Sequence, residues 1–305
     1  MTLGQLAQLV LLGTIWGSSY LMIKVAVAGI PPLPLVGGRL VLGAATLLVV
    51  LALRGIRLPR RPATWVDLTV MALTGNIVPF LLIAWGEQHI DSGLAAVLNA
   101  TTPFFAVLFA VLAFRAERFS TAKLAGLLLG FGGVLVLSGA DLATLASSSA
   151  QGQLAILLSS ACYGFGFAYA RARLRGEPLA LSAGQILVAS ALLAPPTLLL
   201  TDPPALELTL PRLAAWIGLG AVSSGLAYIL YYRLIAQVGA VNASLSTYLM
   251  PPVGVTLGWL ILGEPVGWRT IAGVAGILAG LAVVQGKVPV PLRRLRQAPA
   301  CVAER

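Results

Sequence analysis

Trp16-Gly17-Ser18-Ser19-Tyr20-Leu21-Met22-Ile23-Lys24 opens a pattern that the chain repeats. Tyr163-Gly164 stands 147 positions after Trp16-Gly17 (163 − 16), and the same offset carries Tyr20 to Phe167, Lys24 to Arg171 and Trp85 to Tyr232. It also carries Glu117 to Glu264, Gly126 to Gly273, Gly133 to Gly280 and Gly139 to Gly286. Gly93 lands on Ala240, one residue past Gly239, so the register slips locally. Self-similarity at a fixed period has to be read before anything else, because it decides the architecture.

The chain has 305 residues, 58% of them hydrophobic and only 10% charged, with a mean hydropathy of +0.93. Water-soluble domains carry roughly 25% charged residues, so the composition predicts a polytopic membrane protein. Spans of about 20 apolar residues fall at approximately 5–28, 32–53, 65–86, 92–114, 121–138, 152–172, 180–200, 212–233, 242–262 and 269–286. Hydrophobicity runs on through each span instead of alternating, which predicts helices and not barrel strands. The expected fold class is therefore an all-α polytopic membrane protein of ten transmembrane helices in two inverted five-helix repeats, at 5–139 and 152–286, followed by a basic tail at 287–305. Five spans per copy force the second copy to enter the bilayer from the opposite side. Inverted repeats of this kind are a signature of alternating access.

The net charge of +10 is distributed as a membrane rule requires and gives no reason to expect nucleic acid. Arg54, Arg57, Arg60, Arg61, Arg115, Arg118, Lys123, Arg171, Arg173, Arg175, Arg233, Lys287, Arg293, Arg294, Arg296 and Arg305 account for sixteen of the 20 Lys and Arg. All fall on one side of the ten-span reading. By the positive-inside rule that side is cytoplasmic, which puts both termini inside and the protein in the inner (plasma) membrane. Lys24 and Arg39 are the deepest of the remaining cations. Each either snorkels to the interface or serves as a charge of the pathway, Lys24 by attracting an anionic group such as a carboxylate. No cleavable signal is evident, and Cys162 and Cys301 suggest neither a metal site nor a needed disulfide.

Proline marks comparable places in the two halves. Pro103 lies in span four and Pro251-Pro252 in span nine, and each frees a carbonyl four residues earlier, at Asn99 and Thr247. Paired breaks in corresponding segments point to a midplane binding site; the alternative is a purely structural kink. Beside them stand Asn99, Thr101 and Thr102 in one copy and Asn242, Ser244, Ser246, Thr247 and Tyr248 in the other. Asn76 and Pro79 mark a further kinked, polar point in span three. Trp16 and its mate Tyr163 sit mid-span, whereas Trp65, Trp85, Trp216, Trp259 and Trp268 read as an aromatic belt, as do Tyr228, Tyr231 and Tyr232. Trp16 and Tyr163 either line a cavity or pack in the bundle, with Ser19, Tyr20 and Phe167 on the same faces. The substrate-binding candidates are thus Trp16, Ser19, Tyr20, Asn76, Asn99, Thr102, Tyr163, Phe167, Ser244 and Tyr248, with Pro79, Pro103, Pro251 and Pro252 as hinges.

All ten acidic residues fall in loops or at span ends. Ion relays usually place a carboxylate inside the membrane, so movement down the substrate gradient is expected and no obligatory proton exchange. Glu117 and Glu264 are expected to favour the N-termini of spans five and ten through the helix dipole. Gly126-Leu-Leu-Leu-Gly130 and Gly276-Ile-Leu-Ala-Gly280 are small-xxx-small seams that pack within one protomer or, alternatively, join a homodimer. With a single histidine and no clustered carboxylates there is no catalytic or metal constellation, and neither an enzyme nor a cofactor is expected. A channel would want charged pore rings or a carbonyl filter.

Trp16 through Lys24 resemble the first-helix signature of the EamA-type drug/metabolite transporters. Pro103 followed by Glu117, and Pro251 followed by Gly263-Glu264-Pro265, resemble that family's paired fourth and ninth helices, although Arg115-Ala116-Glu117 replaces the usual Leu-Gly-Glu. The resemblance covers nearly the whole chain. It implies a ten-helix exporter of small metabolites with a central cavity between the repeats, and the YddG-like amino-acid exporters look nearest. The expected function is export of amino acids, aromatic ones included, with Trp16 and Tyr163 on the substrate's apolar part and Asn99 with the polar group near Pro251 on its polar end. The alternative is a carrier of lipophilic drugs or nucleotide-sugar conjugates on the same fold. The expected partners are a small-molecule substrate and the lipid bilayer.

Overall fold

A computed structural model describes residues 2–114, 121–138, 147–201, 206–238 and 243–284. Every regular element among them is helical. We number the rods α1 (Leu3–Val27), α2 (Pro32–Arg54), α3 (Pro62–Gly86), α4 (Ser92–Asn99 continuing as Thr102–Leu112) and α5 (Thr121–Ser138). The second set is α6 (Ser148–Arg173), α7 (Pro178–Leu200), α8 (Leu210–Ile217, Gly218–Leu226 and Ala227–Val238), α9 (Ser244–Leu249 continuing as Met250–Leu262) and α10 (Trp268–Val284). Seven stretches are long and apolar enough to cross a membrane, and Lys123–Leu137, Ser246–Leu262 and Trp268–Val284 are shorter apolar helices. Glu117, Asn242, the side chain of Ser244 and the tail 287–305 lie outside the described residues.

The two halves exchange their first helices. α1 packs on α8 and α9, while α6 packs on α3 and α4. The glycine of each opening motif explains how. A Cβ on Gly17 would sit 2.7 Å from Val253 Cβ and 3.1 Å from the Met250 carbonyl, and one on Gly164 would sit 2.5 Å from Phe105 Cβ and 2.6 Å from the Ala106 nitrogen. Only a residue without a side chain lets the backbones approach that closely. Both contacts fall beside the break prolines, so each motif fixes its helix against the kinked helix of the other half.

α5 and α10 lie against each other through the small-residue seams. A Cβ on Gly280 would sit 2.5 Å from the Gly130 nitrogen and 2.6 Å from the Gly126 carbonyl, and one on Gly133 would sit 2.9 Å from the Gly273 carbonyl. The glycine pairs are therefore consumed inside one chain.

The helices are irregular where the sequence predicts kinks. α4 breaks at Ala100-Thr101, ahead of Pro103, and α9 changes from a tight 3-10 turn to an α-helix at Met250, ahead of Pro251-Pro252. α3 widens to a π-turn over Leu73–Ile77, just before Pro79, and α8 does so over Gly218–Leu226. The second widening has no proline and was not expected. Such π segments loosen the backbone ladder and favour functional sites.

Candidate functional site

The helix exchange gathers aromatic rings around one buried cation. Trp16 on α1 meets Tyr228 edge-on, with centroids 6.4 Å apart, and Tyr231 at 5.3 Å, both on α8. Arg39 on α2 places its guanidinium carbon 3.8 Å from the centre of the Phe80 ring on α3, and Phe80 in turn meets Tyr163 on α6 edge-on at 6.4 Å. Trp16, Tyr163, Tyr228 and Tyr231 are half-buried, while Arg39 is only 7% exposed. A desolvated cation over a ring face gains about 2 kcal/mol. Arg39 therefore does not snorkel; Tyr20, Tyr163, Tyr228 and Glu87 are the ionisable groups around it. Tyr228 and Tyr231 belong to this group and not to an interfacial belt, because α1 is drawn onto α8. Trp216 donates from Nε1 to the Leu35 carbonyl at 2.8 Å.

Polar ties cross between the halves at the two π-turns. Arg39 Nε donates to Ser224 Oγ at 2.8 Å, and Gln185 Nε2 on α7 donates to Asn76 Oδ1 at 2.6 Å. Asn76 is fully buried and also faces the Tyr228 hydroxyl.

A third node lies at the α4 break. Asn99 Nδ2 donates to the Tyr20 hydroxyl at 2.6 Å, and Ser160 Oγ on α6 donates to Asn99 Oδ1 at 3.2 Å. The carbonyl freed by Pro103 is occupied: Thr102 Oγ1 donates to the Asn99 carbonyl at 2.8 Å. The Met250 N–H likewise takes the Thr247 carbonyl. The prolines shape the path, and the carbonyls they release are spent locally. Ser19 Oγ donates to the Ile15 carbonyl on its own helix at 3.2 Å, and Tyr248 is half-buried against the core. Phe167 stays apart, 57% exposed. Four residues carry it about 6 Å along α6 from Tyr163, beyond the ring group.

One end of the bundle carries a second set of polar contacts. Lys24 Nζ donates to the Glu87 and Ile90 carbonyls, both at 2.7 Å, and so caps the end of α3. Its ammonium is engaged by backbone at that helix end. Glu264 accepts from the Ser92 and Gly93 N–H groups at 2.7 and 2.9 Å. It serves the N-terminus of α4, and not that of α10 as expected, because the turn after α9 folds back onto the start of α4. The expectation that no carboxylate is buried is also corrected. Glu87 follows α3 directly and is 0% exposed, and burial pushes its carboxyl well above the usual carboxylate range although Lys24 and Arg39 pull it back. Lys24, Asp91, Thr209, Arg212 and Glu264 line an open cleft of about 560 Å³ beside it.

The two halves, each entering on an aromatic-glycine motif and packing its first helix on the other's kinked fourth, match the EamA-like transporter family over residues 5–139 and 150–285. The chain belongs to this family. Among similar EamA-like proteins, an uncharacterised inner membrane transporter, YedA of Escherichia coli (strain K12), is 30% identical over 298 residues, 92% of this chain and 90% of the relative. An uncharacterised transporter, YoaV of Bacillus subtilis (strain 168), is 24% identical over 268 residues, 88% of this chain and 91% of its own length. A probable terminal-alkyne amino-acid exporter of Streptantibioticus cattleyicolor is 29% identical over 297 residues, 95% of each chain. One solved crystal structure shares the fold at a TM-score of 0.63 and 22% identity, over 91% of this chain and 96% of that one.

Sequence reasoning missed Phe80, Ser160, Gln185, Ser224, Tyr228 and Glu87. Gln185 carried a signal. It is a long polar side chain inside a span, and the repeat offset pairs it with Gly38, next to Arg39. Ser160 and Ser224 carried none, since serines in membrane helices commonly bond their own backbone.

Proposed function

We propose that this EamA-like protein is a ten-span exporter of amino acids, aromatic ones included, working by alternating access across the inner membrane. The observation that carries the reading is Arg39, a single buried guanidinium over Phe80 with Tyr163 and Tyr228 around it and Trp16 against Tyr228. One fixed cation suits one carboxylate, and aromatic rings beside it suit an apolar side chain. The probable amino-acid exporter among the relatives supports the same class. A nucleotide-sugar would need several cations at this depth, and Arg39 is the one that the described residues bury there.

The basic residues at the ends of α2, α6 and α8 support a cytoplasmic placement of that face and of both termini. Shortness of α5, α9 and α10 does not oppose a spanning role, because the bilayer accommodates short helices at modest cost. Opening toward each side in turn would come from the two halves rocking about the α5–α10 seam.

Counterflow tests the function. Proteoliposomes preloaded with unlabelled amino acids should accumulate labelled phenylalanine. A folded protein that exchanges no amino acid would overturn the amino-acid reading and favour lipophilic-drug or sugar-conjugate cargo.

A further inference from the structure

Two carboxyl groups are buried at the Lys24 end, and they are treated differently. Glu264 has both oxygens engaged by backbone N–H groups at the α4 N-terminus. Among the described residues, neither oxygen of Glu87, 0% exposed, meets a donor in hydrogen-bond geometry. A carboxylate shut away from water without donors does not stay ionised; it takes up a proton.

The surrounding charges do not supply the missing donors. Lys24 faces Glu87 from α1, but its ammonium points at two main-chain carbonyls. Arg39 faces it from α2, but its Nε goes to Ser224 and its guanidinium lies over Phe80. Glu264, from the turn before α10, adds a like charge, and Tyr20 on α1 is also within its field. Asp91, four residues on, lines the open cleft with Lys24 and Glu264.

We propose that Glu87 is a proton-binding site of the transport cycle, closed by the Lys24 contacts and opened to the neighbouring cleft when they break. The idea rests on the transport reading above and adds to it a proton that responds to the state of the gate. In the closed form the carboxyl is neutral. When α1 releases the Glu87 and Ile90 carbonyls, water from the cleft reaches the group. The carboxyl O–H bond breaks, the proton leaves as hydronium on that water, and the carboxylate left behind is hydrated and attracted by the freed Lys24 ammonium. Closing reverses each step. The direction of the Glu87 shift, upward through burial, agrees with this geometry.

Infrared difference spectroscopy on the full chain in liposomes tests the proposal without knowledge of the cargo. At neutral pH the wild type should show a protonated-carboxyl carbonyl band that shifts in D2O. The band should vanish in Glu87→Gln, which keeps the shape of the neutral acid, and persist in Asp91→Asn. A wild type without the band, or a band unchanged in Glu87→Gln, overturns the proposal. Phenylalanine counterflow then reads the coupling: its rate should vary with pH in the wild type and be flat in Glu87→Gln, and identical profiles would overturn coupling. If the wild type moves no phenylalanine, the amino-acid reading fails, whereas the infrared result still decides whether Glu87 holds a proton.

Discussion

Gln185 Nε2 donates to Asn76 Oδ1 at 2.6 Å, tying the second helix of one half to the π-turn in the third helix of the other. Arg39 and Ser224 make the opposite tie at 2.8 Å. The two pairs are near-equivalents under the repeat: Gln185 is one residue short of the mate of Arg39, and Ser224 one residue past the mate of Asn76. One tie is neutral and the other charged, so near-symmetry of the backbone carries an asymmetric chemistry with a single cation.

Cutting the neutral tie should cost stability and spare the cation. Gln185→Leu leaves the Asn76 amide buried without its donor, a loss of about 1–3 kcal/mol, toward the low end inside a membrane bundle. Thermal unfolding in detergent should show a lower midpoint than the wild type. An unchanged midpoint would mean that the Gln185–Asn76 bond does not hold the halves together.

Gly17 and Gly164 should resist any added carbon. Gly17→Ala and Gly164→Ala each push a Cβ into the facing helix, and overpacking of this kind costs about 1–3 kcal/mol. Gly132, inside α5 with nothing within 4 Å of an added Cβ, is the control, and Gly132→Ala should unfold no earlier than the wild type because alanine favours a helix interior. Equal midpoints for all three variants would contradict the close helix crossing.

Glu87 should make stability fall as pH rises. Its carboxyl titrates higher in the folded protein than in the unfolded chain, where a glutamate titrates near about 4.3. The contribution is complete below that value and is lost as pH climbs toward the raised folded value. The wild-type midpoint should therefore drop above about pH 4, and the Glu87→Gln curve should be flatter. Parallel curves would show that Glu87 is ionised in the folded state.

Trp16→Ala should weaken phenylalanine binding more than Trp16→Phe. Aromatic contacts contribute about 0.5–1.5 kcal/mol each, so the alanine variant should lose roughly tenfold in half-saturation. Equal loss in both variants would place Trp16 in packing alone.

The helices and their breaks were legible because they follow from local rules. A proline removes an N–H wherever it stands, and Pro103 and Pro251 broke α4 and α9 where expected. The aromatic-glycine motifs were legible as a repeat. Their purpose was not, since the close approach of Gly17 to α9 depends on how the halves exchange helices. Arg39 shows the same limit: depth in a span was readable, but the rotation that turns it onto Phe80 is fixed by α2 packing on α7 and α8. Glu87 sat at a span end, as read, and its burial depends on tertiary packing around the α3–α4 turn, where Lys24 of α1 reaches the Glu87 and Ile90 carbonyls.

Competition between phenylalanine and phenethylamine, the same ring without the carboxylate, tests the central claim most directly. In counterflow, unlabelled phenylalanine should displace label from wild-type proteoliposomes while phenethylamine does not, and Arg39→Ala should erase the difference. Equal displacement by both compounds in the wild type would contradict a carboxylate held by Arg39.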